Sequence, residues 1–218
     1  MKKLFGTDGI RGVAGKSPLD ARTVYAVGLA IAHHLGASPK VLIGQDTRES
    51  SEWIAATLTA GLTDGGAKVE SAGVITTPAV AFLTRAHKFS AGIVISASHN
   101  PWQDNGIKLF GPDGFKLPDD TEIAIEAEIF KRLEETAGRE ANVPAKEPVI
   151  NEADRAEYVK FLLAAVPGLS LDGRCIVVDC ANGAASSVAP QLFAELNANG
   201  GGEAILKNVS PDGRNIYD

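Results

Sequence analysis

Residues 91–101 read AGIVISASHNP, and residues 104–110 read DNGIKLF. Ala91-Gly92-Ile93-Val94-Ile95 is a short unbroken apolar run, as expected of a strand buried on both faces. It halts at serines, an asparagine and a proline, which favour turns over strands. Residues 106–110 then read as another strand, closing on the turn Gly111-Pro112-Asp113-Gly114. Upstream the alternation repeats. Residues 40–44 and 68–74 read as strands. Apolar Val24, Val27, Ile31 and Leu35 fall on one face of a helix over residues 20–35, with Ser17-Pro18 as its start signal. Ser50-Ser51-Glu52 opens a helix to about Leu62, ended by Asp64-Gly65-Gly66. Thr77-Pro78 opens one to about His87. Asp119-Asp120-Thr121 opens another to about Glu135, its acids suited to the N-terminal dipole. Strands alternating with helices predict an α/β domain with a mostly parallel, mixed sheet.

Residues 137–148 (AGREANVPAKEP) are polar, carry two prolines and read as a linker. A helix is expected over residues 152–166, a strand over 174–178, a tight loop at Ala181-Asn182-Gly183 and a helix over 186–196. We therefore expect a first domain over residues 1–148 and part of a second, similar α/β domain over 149–218. The second pattern stops before its sheet is complete, so the expectation is a fragment of a longer protein.

Composition narrows the function classes. With 44% hydrophobic and 22% charged residues, the chain has enough apolar surface for a core and reads as an ordinary soluble domain. Its apolar runs fall far short of the roughly 18–20 residues that cross a bilayer. Lys2 and Lys3 precede no apolar stretch, so no signal peptide is read. Cys175 and Cys180 lie at an odd spacing on a strand, on opposite faces, which argues against a disulfide and for packed thiols in the cytoplasm. A net charge of −6 gives no support to nucleic-acid binding. Residues 1–110 hold 11 Lys+Arg against 8 Asp+Glu, whereas residues 111–218 hold 10 against 19, so an anionic ligand is more easily held by the first half. No GxGxxG or GxxxxGK[ST] run is present, which argues against dinucleotides and P-loop chemistry.

In an open α/β sheet, ligands bind beyond the carboxyl ends of strands. Ser98 follows such a strand end, although serine, asparagine and proline are also ordinary turn residues. Lys108 lies at the start of the next strand, and Arg11 lies in the glycine-rich start GTDGIRG (residues 6–12). A phosphorylated serine carries a charge of about −1.5 to −2 and needs cations around it. Its hydroxyl needs a base before it can attack. Asp46 and Arg48 either reach this site from a strand end or form a helix-start turn capped by Ser50. His33, His34 and His87 read as helix-end residues.

Three motifs, FGTDGIRG (5–12), ISASHNP (95–101) and DNGIKLFG (104–111), together resemble the α-D-phosphohexomutase superfamily. The wording is closest to its phosphoglucosamine mutase family. IGQDTRESS (43–51) and DCANGA (179–184) also fit, while Trp102 stands where Phe or Tyr is expected. The resemblance spans the whole chain. It implies a three-layer α/β/α sandwich and a phosphoserine at Ser98 whose phosphate is a ligand of Mg²⁺. It implies Lys108 as a phosphate contact or proton relay and Arg11 as a positioning group. His99, Asn100 and Thr7 would line the substrate and phosphate site. The implied reaction interconverts glucosamine 6-phosphate and glucosamine 1-phosphate through glucosamine 1,6-bisphosphate, on the route to UDP-N-acetylglucosamine and cell wall. A homodimer is an implied assembly; no nucleic-acid or membrane partner is. The superfamily's Asp-Gly-Asp-x-Asp metal loop is absent from these residues, so three Asp ligands are missing and the fragment alone is expected to be inactive. The alternatives are a phosphoglucomutase or phosphomannomutase, or a non-catalytic anion-binding α/β module.

Overall fold

The structure is a computed structural model that describes residues 3–135 and 143–216, with backbone alone at 199 and 200. Its strands are β1 (Phe5–Gly6), β2 (Gly9–Val13), β3 (Lys40–Gln45), β4 (Lys68–Val74), β5 (Ala91–Ile95), β6 (Asp104–Phe110), β7 (Val149–Ile150), β8 (Cys175–Asp179) and β9 (Glu203–Lys207). Its helices are α1 (Ala21–Leu35), α2 (Glu49–Asp64), α3 (Thr77–Ala86), α4 (Asp119–Glu135), α5 (Ala153–Ala165) and α6 (Ala189–Gly200).

Seven strands form one mixed sheet in the order β1-β2-β6-β5-β3-β4-β7. The half β5-β3-β4-β7 is parallel, and β1-β2-β6 joins β5 by antiparallel pairs. Period-2 alternation divides the side chains between two cores. Ile43, Ile93, Ile95 and Ile107 face α1, α2 and α4, packing on Val27, Leu58 and Ile125. Leu42 and Val94 face α3 and α5, packing on Val80, Leu83 and Val159. This is the α/β class expected, with helices on both faces of the sheet. Helices α1 and α2 meet backbone to backbone: a Cβ built on Gly61 would lie 2.2 Å from the Tyr25 carbonyl oxygen and 3.1 Å from Gly28 Cα. Only glycine permits that approach.

Several boundaries differ from the sequence reading for local reasons. Asp20, not Ser17-Pro18, caps α1: its Oδ1 accepts from Thr23 N at 3.0 Å and its Oδ2 from Thr23 Oγ1 at 2.8 Å. Ser50 is not the cap of α2. Arg48 holds that place, and Ser50 and Ser51 lie inside the first turn, where both accept from Asn105 Nδ2. Strand β6 begins two residues early because Asp104 and Asn105 pair with Val13 and Gly12. The expected helix over 186–196 is split, a 3₁₀ turn (Ala184–Ser187) preceding α6, whose first turn takes Pro190. Strand β9 pairs in parallel with β8 as a second, two-stranded sheet.

Of the expected linker, residues 137–142 lie outside the described residues. Beyond them Val149 and Ile150 pair with Glu70 and Ser71, adding β7 to the first sheet. Cys175 is exposed and Cys180 buried, and both are free thiols. His33 lies 3.8 Å from Glu128, and His87, the C-cap of α3, lies 2.9 Å from Glu157. Among the described residues no helix is long and apolar enough to cross a membrane.

Candidate active site

Strand β5 ends at Ile95, and Ser96 N still donates to Gly106 O at 3.0 Å. Ala97 is then fully buried, and the chain turns outward at Ser98 with φ of +60°. A left-handed serine is strained, of order 1–3 kcal/mol. Ser98 N is held by Ser96 Oγ at 2.9 Å, and Asn100 N returns to Ala97 O at 3.2 Å, so neighbouring bonds sustain the turn. The result is an exposed Ser98 hydroxyl at the mouth of the parallel half of the sheet, with His99 Nδ1 at 3.5 Å.

The register brings the two cations to this end of the sheet. Gly106 pairs with Arg11 on β2, and Lys108, two residues along, pairs with Val94 on β5. Residues in register, and those two apart on a strand, share a face, so Arg11, Lys108 and Ser96 lie on one face. A Cβ on Gly106 would come within 2.8 Å of Ser96 O and 3.1 Å of Arg11 Cγ, which explains the glycine in the DNGIK motif. Arg11 Nη2 lies 3.4 Å from Asp8 Oδ2, but its Nε is buried with no hydrogen-bond partner among the described residues. Burial, and then the neighbouring Arg11 charge, push the Lys108 ammonium below the ordinary lysine range, against the opposing pull of Asp8 and Asp46. An orphan guanidinium N–H beside a destabilised ammonium favours an anion there.

The remaining expected residues are placed as follows. Thr7 lies in the β1–β2 turn and lines a shallow cavity of about 320 Å³ with Asp8 and Arg11. Asn100 turns its amide to Asp104, Nδ2 donating to Oδ2 at 2.9 Å. A separate cavity of about 430 Å³ opens at Ser98 and His99, with Asp46, Thr76 and Thr77 on its wall. Ala181, Gly183, Ala184 and Ile216 of the later segment complete it, residues for which the sequence reading gave no role at the serine. The signal available for them was the Ala181-Asn182-Gly183 loop, which follows a second strand. Asp46 and Arg48 are buried, and Arg48 runs beneath the serine loop, donating to its carbonyl oxygens. Among the described residues, no group of three or more His, Cys, Asp or Glu side chains is placed to hold a metal ion. These residues by themselves do not fit a Mg²⁺ site.

A family model described as phosphoglucomutase/phosphomannomutase, alpha/beta/alpha domain I, matches residues 2–136, a span that contains the serine loop, Arg11 and Lys108. The chain belongs to the phosphoglucomutase/phosphomannomutase family. Phosphoglucosamine mutase of Koribacter versatilis is 51% identical over 99% of this chain and 47% of the relative's length. That of Solibacter usitatus is 49% identical over 99% of this chain, again 47% of its own length. The chain thus spans about half the length of the curated relatives it matches. A Thermus thermophilus protein described as a candidate phosphomannomutase superposes with a TM-score of 0.81 over 96% of this chain and 46% of its own. At 24% identity that likeness establishes the fold alone. Within the phosphoglucomutase/phosphomannomutase family, the sequence is thus similar over nearly its whole length to phosphoglucosamine mutases.

Proposed function

We propose that Ser98 is the phosphoryl-accepting nucleophile of a phosphoglucosamine mutase, which interconverts glucosamine 6-phosphate and glucosamine 1-phosphate through glucosamine 1,6-bisphosphate. The observation that carries this reading is the exposed, left-handed Ser98 just past the end of β5, with Lys108 on the adjoining strand β6 and Arg11 on β2 beyond it. The 51% and 49% identical relatives favour the amino sugar over glucose or mannose phosphates.

Phosphoryl transfer depends mostly on placing the nucleophile and neutralising charge. Ser98 Oγ attacks one phosphorus of the bisphosphate, the sugar oxygen leaves, and the hydroxyl proton passes to a base. Lys108, its ammonium destabilised by burial and by Arg11, is the group we assign to proton relay or phosphate contact. Arg11, whose side chain is only part-buried, offers its positive charge to the phosphate. His99 flanks the nucleophile, Asn100 shapes its loop, and Thr7 lines the neighbouring cavity. The resemblance implies Mg²⁺ held through the Ser98 phosphate; its protein ligands would have to come from outside the described residues. We assign residues 1–148 to the unit that carries the nucleophile and 149–218 to the start of a second α/β unit, with β7 as the strand that joins it to the first sheet. A cytoplasmic enzyme, dimeric when assembled, is part of the same reading.

Intact mass spectrometry after incubation with glucosamine 1,6-bisphosphate tests it. The mutase containing this chain is expected to gain the mass of one phosphate, and Ser98→Ala to abolish the gain. A phosphate retained in Ser98→Ala would overturn the assignment. In the mutase containing this chain, turnover of glucosamine phosphate should exceed that of glucose and mannose phosphates.

A further inference from the structure

Arg48 is the bulkiest of the fully buried side chains. Asp46 secures one end of it, Oδ2 accepting from Nε at 2.9 Å, while Asp46 Oδ1 accepts from Arg48 N at 3.1 Å and from Ser51 Oγ at 2.9 Å. Both terminal nitrogens are left for the serine loop. Nη2 donates to Ser98 O at 3.0 Å and to Asn100 O at 2.8 Å; Nη1 donates to Asp104 O at 3.0 Å and also to Pro101 O. Carbonyl groups from Ser98 to Asp104 thus converge on one guanidinium.

The consequence follows from peptide geometry. In a trans peptide the C=O and the following N–H point in opposite directions. Anchoring the Ser98 carbonyl inward on Arg48 turns the His99 N–H outward, on the side where the Ser98 hydroxyl is exposed. That N–H donates to no group among the described residues. The buried Arg48–Asp46 pair is neutral overall, so it offers a phosphate little net charge of its own; what it fixes is the direction of the peptide dipole above it.

We infer that Arg48 is a positioning residue for the phosphorylated state, holding the Ser98–His99 peptide so that the His99 N–H donates to a phosphate on Ser98. This rests on the reading of Ser98 as the phosphate carrier. A lysine cannot replace the guanidinium, because a point ammonium lacks the planar fork that reaches several carbonyls at once.

The experiment places phosphoserine at position 98 of this chain during synthesis, so no donor reaction is needed. In the wild-type chain, a scalar coupling across the hydrogen bond between the His99 amide nitrogen and the phosphorus is expected. The His99 amide proton should lie downfield of its position in the unphosphorylated chain. The second phosphate pKa, followed by phosphorus NMR, should fall below the value of about 6 usual for phosphoserine. Arg48→Lys should lose the coupling and the downfield shift and return the phosphate pKa towards about 6. Absence of the coupling in the wild-type chain, or its survival in Arg48→Lys, overturns the inference. The wild-type measurement decides by itself if the variant does not fold. Because the phosphate is installed synthetically, a missing coupling refutes the role of Arg48 and leaves Ser98 as nucleophile, whereas a failed phosphorylation assay on the mutase removes the reading of Ser98 on which that role rests.

Discussion

At the scale of single residues, the proposed site combines an exposed hydroxyl with two cations that share one face of the sheet. Lys108 illustrates the balance. Burial lowers its pKa, the Arg11 charge lowers it further, and Asp8 and Asp46 pull the other way. Replacing Arg11 removes a like charge, so the protonated form of Lys108 becomes easier to keep. Arg11→Gln is therefore expected to raise the Lys108 pKa, measured by NMR titration of its ε-carbon. An unchanged value would show that Arg11 does not act on the ammonium. Ser98 stood out because it follows an apolar strand, where an open α/β sheet presents ligand-binding loops, whereas Arg11 and Lys108 lie inside β2 and β6 and were singled out only through their motifs. Arg48 was legible only as a choice between the site and a helix cap. Which way its side chain runs depends on loop carbonyls some 50 residues away in sequence, from Ser98 to Asp104, and no local pattern encodes that.

At the scale of elements, the short strands carry the site and need outside support. Strand β1 has two residues, too few to hold by their own ladder. Glu126 on α4 holds the segment instead, Oε1 accepting from Lys3 N at 2.7 Å and Oε2 from Leu4 N at 2.7 Å and Phe5 N at 3.1 Å. Burial pushes this carboxyl up, but the backbone donors and the amino terminus outweigh it and bring it below the usual glutamate range. A lowered folded-state pKa means a contribution that is complete above the unfolded value of about 4.3 and is lost as pH falls through the folded one. Glu126→Ala is expected to cost about 2 kcal/mol, because it leaves buried amides without acceptors. Urea denaturation should show that cost in full near about pH 6, with the gap between wild type and variant narrowing as pH falls below about 4.3. A gap that does not narrow would show that the carboxylate's charge is not what holds β1. The same reasoning explains which strands the sequence concealed. Strands β3 and β5 announce themselves as apolar runs, whereas β1, β2 and β7 are short, glycine-rich or paired with distant partners. Their pairing is set by tertiary contact rather than by local pattern.

At the scale of the whole molecule, the segment beyond α5 meets the serine loop through a small polar contact. Thr47 Oγ1 donates to Asn182 O at 2.6 Å, and Glu49 N donates to Gly213 O at 3.0 Å. Arg214 pairs with Glu49, Nε to Oε2 at 2.6 Å, and lays its guanidinium over the Trp102 ring, 5.0 Å from the centroid. Trp102 follows the SASHNP turn directly, so the element that walls the Ser98 cavity also touches the loop that carries Ser98. Exposed ion pairs contribute little to global stability and are screened by salt. The contact is therefore suited to setting the position of the later segment rather than to holding the fold together. In a Trp53→Phe background, Trp102 is the one remaining tryptophan of the two. Adding Arg214→Ala should then make Trp102 fluorescence more readily quenched by acrylamide, as removal of the guanidinium uncovers the ring, while the urea midpoint stays where it was. High salt should move the parent towards the same quenching, because it weakens the Glu49–Arg214 pair that holds the guanidinium in place. Equal quenching with and without Arg214 would show that the guanidinium does not rest on the ring in solution, and that the cavity wall is positioned by the Thr47–Asn182 and Glu49–Gly213 bonds alone.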